Sequence, residues 1–144
     1  MTAASPRQTG YPGYTVVLPR EPETAAEARR LVRVSLSAWG LDGVADSAEL
    51  VISEFVANAV RHARGTVVRV IVDRPADDRV YLGVVDRAPN DVPQHQDPDA
   101  EAADGRGLMM VDALTDRWGY DRLGPATRFW GKRVWAVLVA KADA

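Results

Sequence analysis

Cysteine is absent from this 144-residue chain, which rules out disulfides and thiolate metal sites and suits a reducing compartment. Histidine occurs twice, as His62 and His95, too few and too far apart to pattern a metal site. A basic excess is also missing: 18 Lys and Arg stand against 20 Asp and Glu, for a net charge of −2. Nucleic-acid binders usually carry a basic surplus, so the balance argues against direct contact with DNA or RNA. No apolar run approaches the roughly 18 residues of a membrane span. The opening stretch, MTAASPRQTGYPGY, lacks the charged-then-apolar order of a secretion leader. Residues 1–13 are expected to be a flexible polar tail and the protein to be cytoplasmic. What remains is ordinary for a globular protein, 47% hydrophobic and 26% charged. The length suits one domain with its own core, expected over residues 14–140.

Apolar periodicity orders the elements. Tyr14 to Leu18 is a β-branched run closed by Pro19, which predicts an edge strand. Residues from about Glu23 to Trp39 show helical spacing at Ala28, Leu31, Val32, Leu36 and Trp39, and Gly40 ends the helix. Its early glutamates and following arginines, Arg29, Arg30 and Arg33, suit the helix dipole. A second helix is predicted from about Val44 to Ala63, with Ala48, Val51, Ile52, Phe55, Val56, Ala59 and Val60 as its apolar arc. Thr66 to Val72 and Arg79 to Val85 read as neighbouring strands around the turn-type segment RPADD. A long acidic, proline-containing loop follows Asp86. Leu108 to Trp118 is predicted as a third helix, Tyr120 to Arg122 as a short strand, and Lys132 to Val139 as a central strand. Strict strand–helix alternation is missing. The order fits a two-layer α/β sandwich, with helices on one face of a mixed, mostly antiparallel sheet.

Three groups of residues carry possible chemistry. Glu54 and Asn58, four apart, share a helix face one turn apart. With Arg61 they fall within about 60° of one another, away from the apolar arc. A carboxamide oxygen suits magnesium, a carboxylate can accept a proton from an attacking hydroxyl, and an arginine can pair with phosphate. The same spacing also suits a solvent-facing helix with an ordinary Glu–Arg pair. Asp86 ends the run VYLGVV and can receive an amino hydrogen, or simply close the strand with an Asx-turn. Gly105-Arg106-Gly107 comes before the third helix as predicted, where glycines let backbone amides approach an anion. A plain turn also accounts for it. Asp97, Asp99, Glu101 and Asp104 lack the glycine and terminal glutamate of a calcium loop.

Taken in order, these groups resemble the motifs of the histidine-kinase-like ATPase superfamily, which has the Bergerat fold. ELVISEFVANAVRHA looks like its N box, VVDRAP stands at its first glycine box, and DGRGLMMVDALTDRWG is similar to its second. The resemblance covers about Tyr14 to Val139. It is nearest to the small standalone ATP-binding proteins of the anti-sigma-factor serine-kinase kind. It implies ATP and Mg2+ as cofactors. Glu54 would be the catalytic base or water-orienting carboxylate, and Asn58 the magnesium ligand. Asp86 would meet the adenine amino group, with Ala88 beside it in the same box. The segment Gly105-Arg106-Gly107-Leu108 would contact phosphates. Arg61 and His62 would lie at the nucleotide's edge, and residues 87–104 would form the ATP lid.

Two departures stand out. Ala88 replaces a glycine usual in the first box, which tightens the backbone there. Arg133 is read as replacing a small hydroxyl residue in the last strand. The resemblance implies a serine/threonine protein kinase that acts as an anti-sigma factor in partner switching, with a sigma factor and an anti-sigma-factor antagonist as partners. Relatives of that type often pair as homodimers. The alternative is a non-catalytic nucleotide-binding or partner-binding module of the same fold, which the two departures favour.

Overall fold

The computed structural model describes residues 13–90 and 102–140, the side chains of 102–106 excepted. The strand β1 (Gly13–Pro19) leads into helix α1 (Thr24–Ala38), a short 3₁₀ turn (Asp42–Val44) and helix α2 (Ala45–His62). Strands β2 (Val67–Ala76) and β3 (Arg79–Asp86) follow, then α3 (Ala102–Leu114), β4 (Arg117–Leu123) and β5 (Gly131–Val139). The expected tail lies outside the described residues except for Gly13, which is already the first residue of β1.

The sheet has the order β1-β2-β3-β5-β4, so β1 is an edge as its closing proline predicts. All four pairings are antiparallel. Val16, Val70, Val84 and Val134 face one another across four strands in register, and all four are buried. Side chains alternate along a strand. The even-numbered positions of β2, β3 and β5 therefore form the floor of the core, and the helices roof it. Among the described residues no helix is long and apolar enough to cross a membrane.

The roof follows from the helical arcs. Ala28, Val32 and Leu36 of α1 are fully buried, and Leu31 and Trp39 pack at the margin. Gly40 ends α1 in the left-handed region at φ 72°. On α2, Ala48, Val51, Ile52, Phe55, Val56 and Ala59 are buried, with Val60 half-buried beside them. Truncating a fully buried side chain such as Ile52 to alanine costs about 2–5 kcal/mol. The arginines of α1 do not sit in its last turn. Two of them reach across to α2: Arg29 donates to Ser53 Oγ at 2.7 Å, and Arg33 pairs with Asp46 at 2.6 Å and with Glu49.

Arg20, just after β1, fixes the far end of α2. Its guanidinium donates to Val60 O at 2.6 Å and to Gly65 O at 2.7 Å. Those carbonyls lie at and just past the helix C-terminus, where acceptors are left over and a cation is favoured.

Several element boundaries differ from the sequence reading: β2 runs on to Ala76, into the segment read as a turn, and β4 spans Arg117–Leu123 rather than residues 120–122. The third helix begins at Ala102 rather than Leu108 and stops at Leu114. Thr115 Oγ1 bonds back to Val111 O at 2.8 Å, and Asp116 N donates to Val137 O at 2.8 Å. These bonds turn the chain into β4. Trp118 is therefore a strand residue, its Nε1 donating to Asp112 Oδ1 at 2.6 Å.

Candidate functional site

The polar stripe of α2 is a real cluster. Arg61 Nη2 donates to Asn58 Oδ1 at 2.5 Å and lies 3.8 Å from Glu54 Oε1. One guanidinium thus bridges the carboxamide and the carboxylate, as their spacing of three and four residues permits. Glu54 is mostly covered and Arg61 much less so. His62 is exposed at the last position of α2.

Glu54 is covered from above by α3. A Cβ added at Gly107 would overlap the Glu54 carboxylate. Only a glycine lets the two helices approach this closely with the carboxylate between them. Gly107 and Leu108 are both buried.

The expectation that Gly105-Arg106-Gly107 comes before the helix is overturned. All three, with Leu108, lie inside α3. In a helix that starts at Ala102, the leftover N–H groups end at residue 104. The Gly107 amide is instead committed to the helical ladder. Gly107 is helical despite the poor helix propensity of glycine, at the point where α3 lies against the Glu54 carboxylate. The predicted lid falls mostly outside the described residues. Residues 87–90 are described, and residues 102–104 belong to α3.

Asp86, at the end of β3, is almost wholly buried. Its Oδ1 accepts the Ala88 N–H at 2.9 Å, which makes the strand-closing Asx-turn. It also meets a residue the sequence reading passed over. Lys132 stands opposite Asp86 in the β3–β5 register, and its Nζ lies 2.9 Å from Oδ1 and 3.0 Å from Oδ2. The same ammonium donates to Ala88 O at 2.9 Å. Its three N–H bonds therefore have three acceptors, the arrangement a buried lysine needs. Gly131, next along β5, passes so near the Asp86 carbonyl that a Cβ there would overlap it.

Arg133, read as the residue beside the aspartate, is not there. Lys132, Val134, Ala136 and Leu138 face the helices, so Arg133 lies on the opposite face of the sheet. That face carries Tyr81 and Trp135, stacked with ring centroids 6.3 Å apart, and Arg117 over the Trp135 ring at 5.9 Å. Burial raises the Tyr81 pKa above the usual tyrosine value, and Arg133 beside it offsets part of the rise. Alternation along KRVWAVLV would have put Lys132 on the buried side.

The described residues thus assemble Glu54, Asn58 and Arg61, with Gly107 against the Glu54 carboxylate, and Asp86 with Ala88 and Lys132 at the sheet's end. In the first set the Asn58 oxygen and the Glu54 carboxylate both face the Arg61 guanidinium. The second presents a buried, charge-compensated carboxylate.

Comparison with known families bears on the fold. No curated protein matches the chain. Residues 18–138 match the family model described as the histidine kinase-like ATPase domain. The match takes in all five strands and all three helices, apart from the first residues of β1 and the last of β5. The chain belongs to the histidine kinase-like ATPase domain family.

Proposed function

We propose that the chain is an ATP-binding regulatory protein that acts as a magnesium-dependent serine/threonine protein kinase and anti-sigma factor. The observation that carries this reading is the cluster of Glu54, Asn58 and Arg61, with Gly107 lying against the Glu54 carboxylate. The donor set suits magnesium, which commonly takes one or two protein oxygens and completes its shell with phosphates and water. Asn58 Oδ1 would be that oxygen, and Arg61 would release it and turn to phosphate. ATP, when bound, supplies the transferable phosphoryl group. Glu54 would take the proton from the acceptor hydroxyl at its carboxylate. Asp86 and Ala88 would lie at the base, Gly105, Arg106, Gly107 and Leu108 near the phosphates, and His62 at the edge. The partners on this reading are a sigma factor and its anti-sigma-factor antagonist, with a second copy of the chain as a further one.

A second reading is a non-catalytic nucleotide-binding or partner-binding module. Two contacts favour it: Arg61 holds the Asn58 oxygen, and Lys132 holds Asp86. Calorimetry with magnesium and ATP separates the two. On the kinase reading Asn58→Ala abolishes magnesium-dependent binding, while Glu54→Ala keeps binding and loses phosphate transfer to the antagonist. Wild-type protein that binds no ATP would end the kinase reading. Binding without transfer in the wild type would leave the module.

A further inference from the structure

The buried pair at the sheet's end is the feature that the proposed function leaves unexplained. A carboxylate meant to read an exocyclic amino group must offer that group its lone pairs and its negative charge. Asp86 offers them to its own chain. Lys132 Nζ engages Oδ1 and Oδ2 at 2.9 and 3.0 Å, and the Ala88 amide takes a further lone pair on Oδ1. Both side chains are about 95% buried, so water screens the attraction little.

Lys132 is also held firmly in place. It reaches Asp86 from the adjacent strand, directly opposite in register. Its third hydrogen bond, to Ala88 O, locks the ammonium against the turn that follows β3. Swinging it away would bury an unpaired charge or expose the ammonium through a packed rim, and either outcome costs more than one amino-group hydrogen bond returns.

We propose that Lys132 sets base selectivity in this site. By neutralising Asp86 and engaging both of its oxygens, it turns a pocket that would read the adenine amino group into one that accepts purine nucleoside triphosphates regardless of that group. The inference rests on the reading of Asp86 as the base contact. Affinity on this view comes from the triphosphate and magnesium at Asn58, and the base adds packing without a polar readout.

The test is calorimetric titration of the full chain, in magnesium, with ATP and with purine riboside triphosphate, which lacks only the 6-amino group. Wild type should bind the two within about threefold of each other. Lys132→Thr, which returns the carboxylate to an incoming donor, should favour ATP by about tenfold or more. Wild type that already prefers ATP by tenfold would overturn the role of Lys132 while leaving the nucleotide site intact. Wild type that binds neither triphosphate would overturn the site reading and this inference together. The wild-type comparison requires no variant, so it can overturn the inference even if Lys132→Thr fails to fold; thermal unfolding of the variant identifies that case.

Discussion

Gly107 lies against the carboxylate of Glu54 so closely that α3 leaves no room there for a single methyl group. Gly107→Ala therefore sets two effects against each other. Alanine gains about 1 kcal/mol of helix propensity over glycine. The methyl group displaces the end of a long side chain, which can swing aside at little cost in stability. On the kinase reading, the expected outcome is a melting temperature near that of wild type with phosphate transfer reduced at least tenfold. Thermal denaturation and turnover, measured on the same sample, check it. A variant that keeps full turnover would mean that the position of Glu54 is immaterial.

The Asp86–Lys132 pair gives a stability prediction independent of any ligand. Removing one member of a buried pair leaves the other charged and unpaired, at about 3–5 kcal/mol. Lys132→Met should cost about that much in urea denaturation. Adding Asp86→Leu to it should recover most of the loss, because two apolar groups leave no buried charge. Additive losses would show that the two residues do not depend on each other.

Arg20 closes the C-terminus of α2 through two carbonyls. Arg20→Ala should cost about 1–3 kcal/mol, since two hydrogen bonds from a charged donor are lost near a helix end. Hydrogen exchange should locate the change to the last turn of α2 and residues 63–65, leaving β3 and β5 protected.

Tyr81 makes the protein sensitive to alkali. Its folded pKa is raised by burial, so the folded state favours the neutral phenol. That contribution is fully present below the unfolded tyrosine value of about 10 and is lost as the pH rises through the folded value. Stability of the wild type should fall more steeply above about pH 10 than that of Tyr81→Phe. Denaturant midpoints measured on both proteins between pH 9 and about 11 check the difference.

Much of the site could be read from periodicity alone. Placing Glu54, Asn58 and Arg61 on one side of a helix needs only its 3.6-residue turn, and the Arg61 contacts agree. Asp86 could be read from the run that precedes it. Three features escaped for distinct reasons. Lys132 was hidden because its partner comes from another strand, and only register joins them. Its parity with Val134, Ala136 and Leu138 nevertheless marks it as inward-facing. Trp118 continues the helical spacing of Leu108 and Leu114, yet hydrogen bonds at Thr115 and Asp116 divert the chain into β4. The start of α3 was misplaced because two glycines look like a break. In the fold they are helical all the same, and Gly107 lies against Glu54, a contact that local preference does not reveal.

The glycines of α3 have a further thermodynamic consequence. Gly105 and Gly107 sit two residues apart in its first two turns. Relative to alanine, they forfeit about 2 kcal/mol of helical preference. An anion gains a comparable amount from one or two charge-assisted bonds to amide hydrogens. The opening turns of α3 therefore carry less helical preference than alanine would give them, by an amount similar to what the bonds of one phosphate supply.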